Sequence, residues 1–430
     1  MSISFQRAAD PRRRGVGVDE LGVRRLQGLE FLEEPVVFEV RELGGGEHVV
    51  EVIVVGDAEA EAAIRALGLQ DKIVFVPFDA PNVAAARNAG LAAAQGEIVA
   101  FIDDDAVAET HWLTALMQGF QTPEVLIVGG FVRARNGISY QWRGETVSSV
   151  GTHTKLDLPD DQISYIPATP KMAPEVMGTN CAYRTAALRE IGGFDTGFVY
   201  YLDESDVNYR LAQIGAVTAI VPWAQVHHGL APTGQRGAGN VPKSLGQMAR
   251  SLMLFLDKHA DADLHERALE RLRHAQKVKL LTHMQLGRIT PFTVIKLLDS
   301  FDRATATDPS EAEIEAQYAS ERSIVRVFQS KPPLAAVTFV AWPWQRKIAF
   351  ERAAKAAAGG GAVTVFELSP STLFHRVWFD PSGFWVHRGG IWGRSDRKSR
   401  LVQLMRRKTR VAKEIAARAK SRDFGRVETL

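Results

Sequence analysis

The sequence offers little that would mark an exported or membrane-spanning protein. Its 430 residues contain a single cysteine, Cys181, so no intramolecular disulfide can form and a reducing compartment is expected. Residues 1–14 are polar and carry several arginines with no apolar stretch behind them, which predicts no secretory signal. No apolar run reaches the roughly 18 residues that a membrane-spanning helix needs. We therefore expect a cytoplasmic protein, with peripheral contact at the inner face of a membrane still open.

A strong excess of one charge is also absent. The chain has 52 Lys and Arg residues against 50 Asp and Glu residues, which gives a formal net charge of +2. This balance argues against nucleic acid as a main partner. Apolar residues make up 46% of the chain and charged residues 24%, as in ordinary globular proteins.

Four segments of the chain differ in their patterns. Residues 1–48 show no clear alternation and form an atypical N-terminal segment. Residues 49–260 alternate short apolar runs with helical patterns, and residues 261–330 look helical. Residues 331–430 combine one small βαβ pattern with a strongly basic tail. Strands that alternate with helices predict an α/β fold with a mostly parallel sheet flanked by helices.

The first half of the alternating segment places acidic residues at the end of a predicted strand. Asn82 should cap an alanine-rich helix, and Ala106–Phe120 reads as another helix. The predicted strands before them are Val49–Val55, Lys72–Val76 and Glu97–Ile102. The third strand runs directly into Asp103-Asp104-Asp105. Because ligands of such sheets lie beyond the carboxyl ends of the strands, these carboxylates stand where chemistry is expected.

Asp103 and Asp105 are candidate metal ligands. Carboxylates spaced by one residue can reach one hard divalent ion such as Mg²⁺ or Mn²⁺, which also takes phosphate oxygens. A solvated turn after a strand is the competing interpretation, and the triplet alone favours that turn.

A second acidic group, Asp203, Glu204 and Asp206, stands at the start of a predicted helix. Carboxylates at this position are often plain caps that interact with the helix dipole. The same groups could supply the general base that takes a proton from an attacking hydroxyl. Asp206 and Arg210 are four residues apart and can pair on one helix face.

A third candidate is the pair His227-His228, which follows a predicted strand at Val217–Val221. Neutral imidazole binds Mn²⁺ and similar ions, so His227 could join the metal ligands. A histidine pair in a loop is more often simply exposed to solvent.

The order of these groups resembles the family 2 glycosyltransferases, which have the GT-A fold. "NVAAARNAGLAAAQGEIVAFIDDDAV" from Asn82 is similar to the helix, strand and DxD segment of that family, and "WL" at Trp112 follows at the usual distance. "MGTNCAYRTAALREIGGFDTGF" from Met177 resembles its acceptor-side segment. "YLDESDVNYRLAQIGA" from Tyr201 resembles its catalytic-base helix, and "VPWAQVHHG" from Val221 its late histidine. The resemblance covers about residues 50–260.

The resemblance implies a role for each matching residue. It implies that a Mn²⁺ or Mg²⁺ cofactor bridges the diphosphate of a nucleotide-sugar donor, and that the transfer inverts the anomeric carbon. The implied metal ligands are Asp103, Asp105 and His227. The implied catalytic residues are Glu204 as the base, Asp203 as its substitute, and Asp206. The implied nucleotide-sugar contacts are Asp57 near the nucleobase, Arg87 near the ribose or phosphate, Asp103 and Asp104, with Gly178, Thr179 and Asn180 lining the donor and acceptor pocket.

One departure concerns the start of the domain. The family begins with a strand and a helix before the strand that carries Asp57, but here Val36–Val40 is the only upstream strand candidate. Only the residues from Arg41 to Val50 separate it from Glu51, whereas a parallel crossover needs about a dozen residues or more. We therefore expect half of the nucleobase pocket to be missing or to be built differently.

The leading hypothesis is a sugar transferase that acts on a glycan or a lipid-linked acceptor. A sugar nucleotidyltransferase is an alternative, although Leu43-Gly44-Gly45-Gly46 is a poor phosphate loop. A degenerate domain that serves in binding or assembly is another, and the incomplete start favours it. The basic C-terminal tail could lie on anionic lipid, or it could simply be solvated.

Overall fold

The computed structural model describes residues 36–43, 47–169, 171–229, 236–306, 334–396 and 399–430. The first part of the predicted atypical N-terminal segment, residues 1–35, and the predicted helical stretch at 307–330 lie outside these residues. Among the described residues, no helix combines the length and apolarity needed to cross a bilayer.

The described residues form twenty strands and ten α-helices in an α/β fold, as predicted. The strands are β1 (Val36–Leu43), β2 (Glu47–Gly56), β3 (Ile73–Pro77), β4 (Ile98–Ile102), β5 (Ala106–Ala108), β6 (Val125–Arg133), β7 (Tyr140–Trp142), β8 (Glu145–Ser148), β9 (His153–Lys155), β10 (Ser164–Pro167), β11 (Met172–Glu175), β12 (Cys181–Arg184), β13 (Val217–His228), β14 (Arg236–Gly237), β15 (Val241–Pro242), β16 (Leu334–Ala341), β17 (Gly361–Ser369), β18 (Arg376–Asp380), β19 (Phe384–Gly390) and β20 (Arg426–Thr429). The helices are α1 (Ala58–Ala66), α2 (Val83–Ala93), α3 (Trp112–Met117), α4 (Thr185–Glu190), α5 (Asp203–Gln213), α6 (Gly246–His259), α7 (His265–Gln285), α8 (Pro291–Thr305), α9 (Arg346–Ala358) and α10 (Arg407–Ala416).

A large mixed sheet carries the first part of the chain. Its strand order is β10-β13-β6-β12-β4-β1-β2-β3, with β5 on β13 and β7 on β6. Strands β2, β3, β4, β6 and β13 run in one direction, whereas β1, β10 and β12 run in the other. The core strand β4 is buried along its whole length, because helices cover both faces of the sheet.

Strand β1 lies antiparallel between β2 and β4. Its pairing with β4 sets Val36 opposite Ile102 and Val40 opposite Ile98. The short connection from Arg41 to Val50 is therefore a hairpin, in agreement with the expectation that it cannot hold a parallel crossover.

Local sequence signals explain several helix starts. The Asp57 carboxylate accepts hydrogen bonds from the backbone N–H groups of Glu59 and Ala60, both at 2.9 Å, and so begins α1. The side chain of Asn82 accepts from the Ala85 N–H at 2.9 Å and begins α2, as predicted.

The prediction of a single helix over Ala106–Phe120 was wrong. Residues Ala106–Ala108 form β5, which pairs antiparallel with Val226–His228 at the end of β13. The shorter helix α3 begins only at Trp112. The partner strand lies far away in the sequence, so local periodicity gave no sign of this pairing.

Helices α6, α7 and α8 form a helical segment after the large sheet. Leu245, Leu280, Leu297 and Phe301 are buried between these helices. Helix α8 begins with Pro291 in its first turn, and the Thr290 hydroxyl accepts from the Thr293 N–H at 3.2 Å.

The C-terminal unit contains the predicted βαβ pattern as β16, α9 and β17, with the two strands parallel. It is larger than the predicted extension, because the strand order β18-β19-β17-β16-β20 makes a five-stranded sheet. One buried cluster includes Ala349 and Ala353 of α9, and another includes Val411 of α10. These clusters give the sheet an apolar core beneath each helix.

Candidate active site

Strand β4 delivers the acidic triplet to the carboxyl edge of the large sheet. The carboxylates of Asp103 and Asp105 and the imidazole of His228 each offer a ligand atom, and these atoms lie within 4.8 Å of one another. The Nε2 atom of His228 is 3.0 Å from Oδ1 of Asp105. The predicted aspartate pair therefore meets a histidine that belongs to the end of β13.

The histidine that faces Asp105 is His228, whereas the sequence predicted His227. Successive residues of a strand point to opposite faces of the sheet, so only one of the two can face Asp105. His227 faces the other way, with its Nε2 atom 2.8 Å from Oε1 of Glu109. Burial lowers the pKa of His227 to about 4, so its neutral ring donates from Nε2 to Glu109.

The surroundings of His228 fit a divalent cation. Its Nδ1 atom lies 3.1 Å from Oε1 of Gln141, so Nε2 is the ring nitrogen that faces the Asp105 carboxylate. Among the described residues, this buried Nε2 atom has no hydrogen-bond partner. A metal ion bound by Nε2 of His228 and by the Asp105 carboxylate would give this nitrogen a partner.

The charge of the acidic triplet also fits a cation. Burial, together with the neighbouring carboxylates of Asp105 and Asp103, raises the pKa of Asp104 to about 9. Three carboxylates this close repel one another unless a positive charge or a proton intervenes. The donor set of two carboxylates and one imidazole therefore suits Mn²⁺ or Mg²⁺.

Arg87 of α2 connects the aspartate loop to the predicted base. One guanidinium nitrogen donates to Oδ2 of Asp203, and another lies 3.3 Å from Oδ1 of Asp103. Burial opposes the charge of Arg87, but the carboxylates of Asp203 and Asp103 outweigh it and raise its pKa. Arg87 therefore stays charged and holds the two acidic groups on one site.

The start of α5 is held in an unusual backbone conformation. Tyr201 and Leu202 both have positive φ angles, 79° and 68°. Residues with a β-carbon adopt this region at a cost of about 1–3 kcal/mol each, and such strain tends to gather at functional sites. The two residues turn the chain so that Asp203 and Glu204 face Arg87 and Gly178, whose N–H lies 3.4 Å from Oε1 of Glu204.

Asp203 and Glu204 divide the roles of acid and base between them. Burial and the neighbouring Glu204 charge raise the pKa of Asp203 well above its ordinary value. Burial also acts to raise the pKa of Glu204, but the hydrogen bond with Asp203 and the charge of Arg87 outweigh it and lower the pKa. Glu204 is therefore the carboxylate that is ionised at neutral pH, the state in which it can accept a proton.

Asp206, which was grouped with the catalytic residues, lies in a separate ion-pair cluster. Its carboxylate is fully buried and contacts Arg210 at 2.7 Å, Lys258 at 2.8 Å and His259 at 2.8 Å. Burial acts to raise its pKa, but these partners lower it to about 2. The cluster confirms the predicted pairing with Arg210 and joins α5 to α6, so we reassign Asp206 to a structural role.

The segment Gly178–Asn180 is a short 3-10 helix that leads into β12. A β-carbon at Gly178 would overlap the guanidinium of Arg87, so a larger residue there would force Arg87 to move. Asn180 is completely buried: its Oδ1 accepts from the indole of Trp112 at 2.7 Å, and its amide donates to Ala224 O at 2.8 Å. The Asn180 side chain therefore makes its hydrogen bonds inside the protein and does not line the predicted pocket.

The two remaining predicted contacts differ in their settings. Thr179 is buried, and among the described residues its hydroxyl has no hydrogen-bond partner. Asp57 is exposed at the carboxyl end of β2, where its carboxylate caps α1.

A neighbouring polar cluster was missed by the sequence analysis. His153 of β9 lies 3.0 Å from Oε2 of Glu175 of β11, and Ser205 of α5 donates to the same carboxylate. Burial acts to lower the pKa of His153, but the hydrogen bond with Glu175 outweighs it and raises the pKa to about 9. Residues 134–175 are rich in polar residues, glycine and proline, so no local pattern indicated that His153 would reach the helix of Glu204.

A buried ion pair joins the C-terminal unit to the back of the site. Arg422 donates to both oxygens of Glu109, each at 2.7 Å, and both side chains are almost fully buried. The indole of Trp385 lies against the Arg422 guanidinium at 4.0 Å and against the ring of His227 at 4.6 Å. Glu109 directly follows β5, so this contact supports the strand that leaves the acidic triplet.

Comparison with known proteins gives a partial match. The family model described as "Glycosyl transferase family 2" matches residues 38–192. "Pre-mycofactocin glycosyltransferase" of Mycobacterium tuberculosis is 30% identical over 149 residues, which are 34% of this chain and 29% of that protein. "Succinoglycan biosynthesis protein ExoM" of Rhizobium meliloti is 36% identical over 91 residues, which are 20% of this chain and 29% of that protein. The chain thus spans less than a third of the length of these relatives.

The matched range includes the elements that carry Arg87, the acidic triplet and Gly178–Asn180, whereas Glu204 and His228 lie beyond it. Strands β2 to β6 and β12 with their helices fall inside the same range. Residues 38–192 are therefore similar to glycosyl transferase family 2.

Proposed function

We propose that this protein transfers a glycosyl unit from a nucleotide diphosphate sugar to a hydroxyl of a glycan or lipid-linked acceptor, with inversion at the anomeric carbon. The observation that carries the proposal is the position of Arg87, which contacts the aspartate loop through Asp103 and the base helix through Asp203. A diphosphate beside the acidic triplet would therefore lie next to an ionised Glu204.

The chain's own residues account for the proton transfer. Glu204 accepts the proton of the acceptor hydroxyl while that oxygen forms a bond to the anomeric carbon. The bond from the anomeric carbon to the β-phosphate oxygen breaks in the same step, and the nucleoside diphosphate leaves with the electron pair. Arg87 keeps its charge beside Asp203 and Glu204, so the guanidinium cannot take the acceptor proton itself.

Asp103, Asp105 and His228 would hold the divalent ion. A bound Mn²⁺ or Mg²⁺ supplies charge neutralisation for the departing diphosphate. The imidazole in the donor set favours Mn²⁺, because Mg²⁺ prefers oxygen ligands.

The acceptor class is inferred from the names of the relatives and from a polar cluster beside Glu204. The name of one relative concerns succinoglycan biosynthesis, which supports a glycan acceptor, and the name of the other concerns pre-mycofactocin. The polar cluster of His153, Glu175 and Ser205 lies beside Glu204 and could accept hydrogen bonds from, or donate them to, sugar hydroxyls.

The test is metal-dependent hydrolysis of UDP-, GDP- and dTDP-sugars by the purified full chain. We expect slow turnover with Mn²⁺ on one donor, a large loss in Asp105→Ala, and retained nucleotide binding without transfer in Glu204→Gln. Asp299→Ala is the matched control, because it removes an exposed carboxylate that pairs with Arg303 one turn along α8.

Two results would contradict the proposal. Release of pyrophosphate from a nucleoside triphosphate and a sugar phosphate would indicate a nucleotidyltransferase. Failure to bind any nucleotide in the presence of Mn²⁺ would indicate a domain that serves only in binding or assembly.

A further inference from the structure

One edge of the C-terminal unit carries a concentration of exposed apolar side chains. We call it the apolar edge, and it consists of the described segments 342–348, 371–375, 391–396 and 399–408. Seven of its large apolar side chains are between 51% and 87% exposed. They are Trp344, Ile348, Leu373, Phe374, Leu401, Val402 and Leu404.

The topology brings these segments to one place. Strands β16, β17 and β19 are parallel, and the segments follow their carboxyl ends. Leu373 O accepts from Gly390 N at 3.0 Å, and Trp392 O accepts from Gln403 N at 3.0 Å. The indole of Trp392 donates to Met405 O at 3.1 Å, so the loops after β17 and β19 are joined by hydrogen bonds.

The Trp342 side chain connects the first segment to the last. Its ring stacks on Trp344 with the centroids 5.2 Å apart, and the guanidinium of Arg407 lies 4.2 Å from the Trp342 ring. The segments of the apolar edge are therefore joined to one another by hydrogen bonds and ring contacts. Single exposed apolar residues are normal on a protein, but a concentration of them on joined segments points to an interaction site.

Positive charge surrounds the apolar edge. Asp396 is the acidic residue of segment 391–408, which contains many basic residues. Its described basic side chains are Arg394, Arg400, Arg406, Arg407 and Lys408. Arg400, Arg406 and Lys408 are exposed.

Helix α10 and the residues after it expose less positive charge than the basic sequence of the tail suggested. Arg410 is completely buried and donates to Gly393 O, and Arg418 and Arg422 are buried against Glu414 and Glu109. These three arginines of the predicted basic tail are therefore occupied inside the protein. The face of α10 that carries Arg410 is therefore buried and cannot contact lipid.

We propose that the apolar edge binds the surface of an anionic membrane, with Trp344, Phe374 and Leu404 entering the boundary between headgroups and acyl chains. Aromatic and aliphatic side chains beside Lys and Arg are the combination that binds such an interface. A glycan-binding surface would instead offer polar groups that pair with sugar hydroxyls, and the aliphatic side chains of Leu401, Val402 and Leu404 cannot do so. The proposal is independent of the proposed transfer reaction.

The experiment is co-sedimentation of the full chain with vesicles of phosphatidylglycerol and phosphatidylcholine, and with vesicles of phosphatidylcholine alone. We expect binding to the anionic vesicles that weakens with added salt. The double variant Phe374→Asp/Leu404→Asp should bind at least about tenfold more weakly, because it places two charges at the interface. Phe292→Asp/Ile295→Asp on α8 is the matched control, since these side chains are 74% and 65% exposed and lie outside the apolar edge.

Charge reversal gives a second, separate measurement. Arg400→Glu/Lys408→Glu should weaken binding to anionic vesicles and leave any binding to neutral vesicles unchanged. All the replaced side chains are exposed, and equal thermal unfolding of the variants and wild type would exclude misfolding.

Three outcomes would overturn the proposal. They are no binding of wild-type protein to anionic vesicles at low salt, equal losses in the apolar-edge and α8 variants, and binding of a soluble oligosaccharide that Phe374→Asp/Leu404→Asp abolishes.

Discussion

Replacement of Arg422 by methionine should strongly destabilise the protein. Arg422 and Glu109 are 1% and 0% exposed, and the guanidinium donates to both carboxylate oxygens. Burial acts to raise the pKa of Glu109, but Arg422 and His227 outweigh it and hold the pKa well below its ordinary value. Without Arg422 the carboxylate is left buried next to a neutral imidazole, and loss of one partner of a buried pair costs about 3–5 kcal/mol.

The assay is urea unfolding of wild type, Arg422→Met, Glu109→Gln and the double variant. The double variant should recover about 1–3 kcal/mol relative to the sum of the single losses, because it leaves no unpaired charge. The matched control is Arg273→Met, whose pair with Asp302 is bidentate but exposed and should contribute only about 0–1 kcal/mol. The penalty of Arg422→Met should also shrink as the pH falls below 4.5, the ordinary pKa of Glu109, because a protonated carboxyl needs no cation.

The reasoning is refuted if Arg422→Met costs no more than Arg273→Met. It also fails if the double variant shows simple additivity, since the two side chains would then contribute independently. Either result would remove the ion pair as the connection between the C-terminal unit and β5.

Three further predictions concern the site. His228→Ala should weaken Mn²⁺ binding by about 10–100-fold, whereas His227→Ala should weaken it far less, and equal losses in calorimetric titration would reject His228 as the ligand. Gly178→Ala should displace the Arg87 guanidinium. We expect kcat to fall by about 100-fold with a smaller change in KM, and unchanged steady-state kinetics would contradict the role of this close approach. The raised pKa of His153 means that its stabilisation is complete below pH 6.5 and is lost as the pH rises through about 9. Urea midpoints of wild type should therefore fall over that range relative to His153→Gln, and parallel curves would argue against the shift.

Local patterns predicted the parts of the fold that depend on local order. Strands β2, β3 and β4 were predicted to within two residues, because each is a short apolar run between turn residues. The Asn82 cap and the acidic start of α5 were also found, since caps and carboxylates act over a single helix turn. The prediction of the acidic triplet at a strand end followed from the same reasoning.

The errors share one physical origin, which is dependence on partners distant in sequence. Segment Ala106–Ala108 became a strand because β13 supplied its hydrogen bonds, although its own composition suits a helix. The choice between His227 and His228 depended on which face of β13 the register turned toward Asp105. Arg410 and Arg422 looked like solvated charges because their carboxylate partners, Glu414 and Glu109, are revealed only by packing.

The antiparallel strand β1 determines how the nucleotide side of the site is built. Its first residue, Val36, pairs with Ile102, so the chain enters the sheet beside Asp103. In a parallel arrangement the chain would leave the sheet at that edge through a loop and a helix, and that loop could contact a nucleobase. Here the chain instead leaves the sheet at the carboxyl ends of the neighbouring strands β2 and β3, at Gly56 and Pro77. If the proposed nucleotide-sugar donor binds here, we expect the segments that follow β2 and β3 to contact its base, with Asp57 at the start of the first.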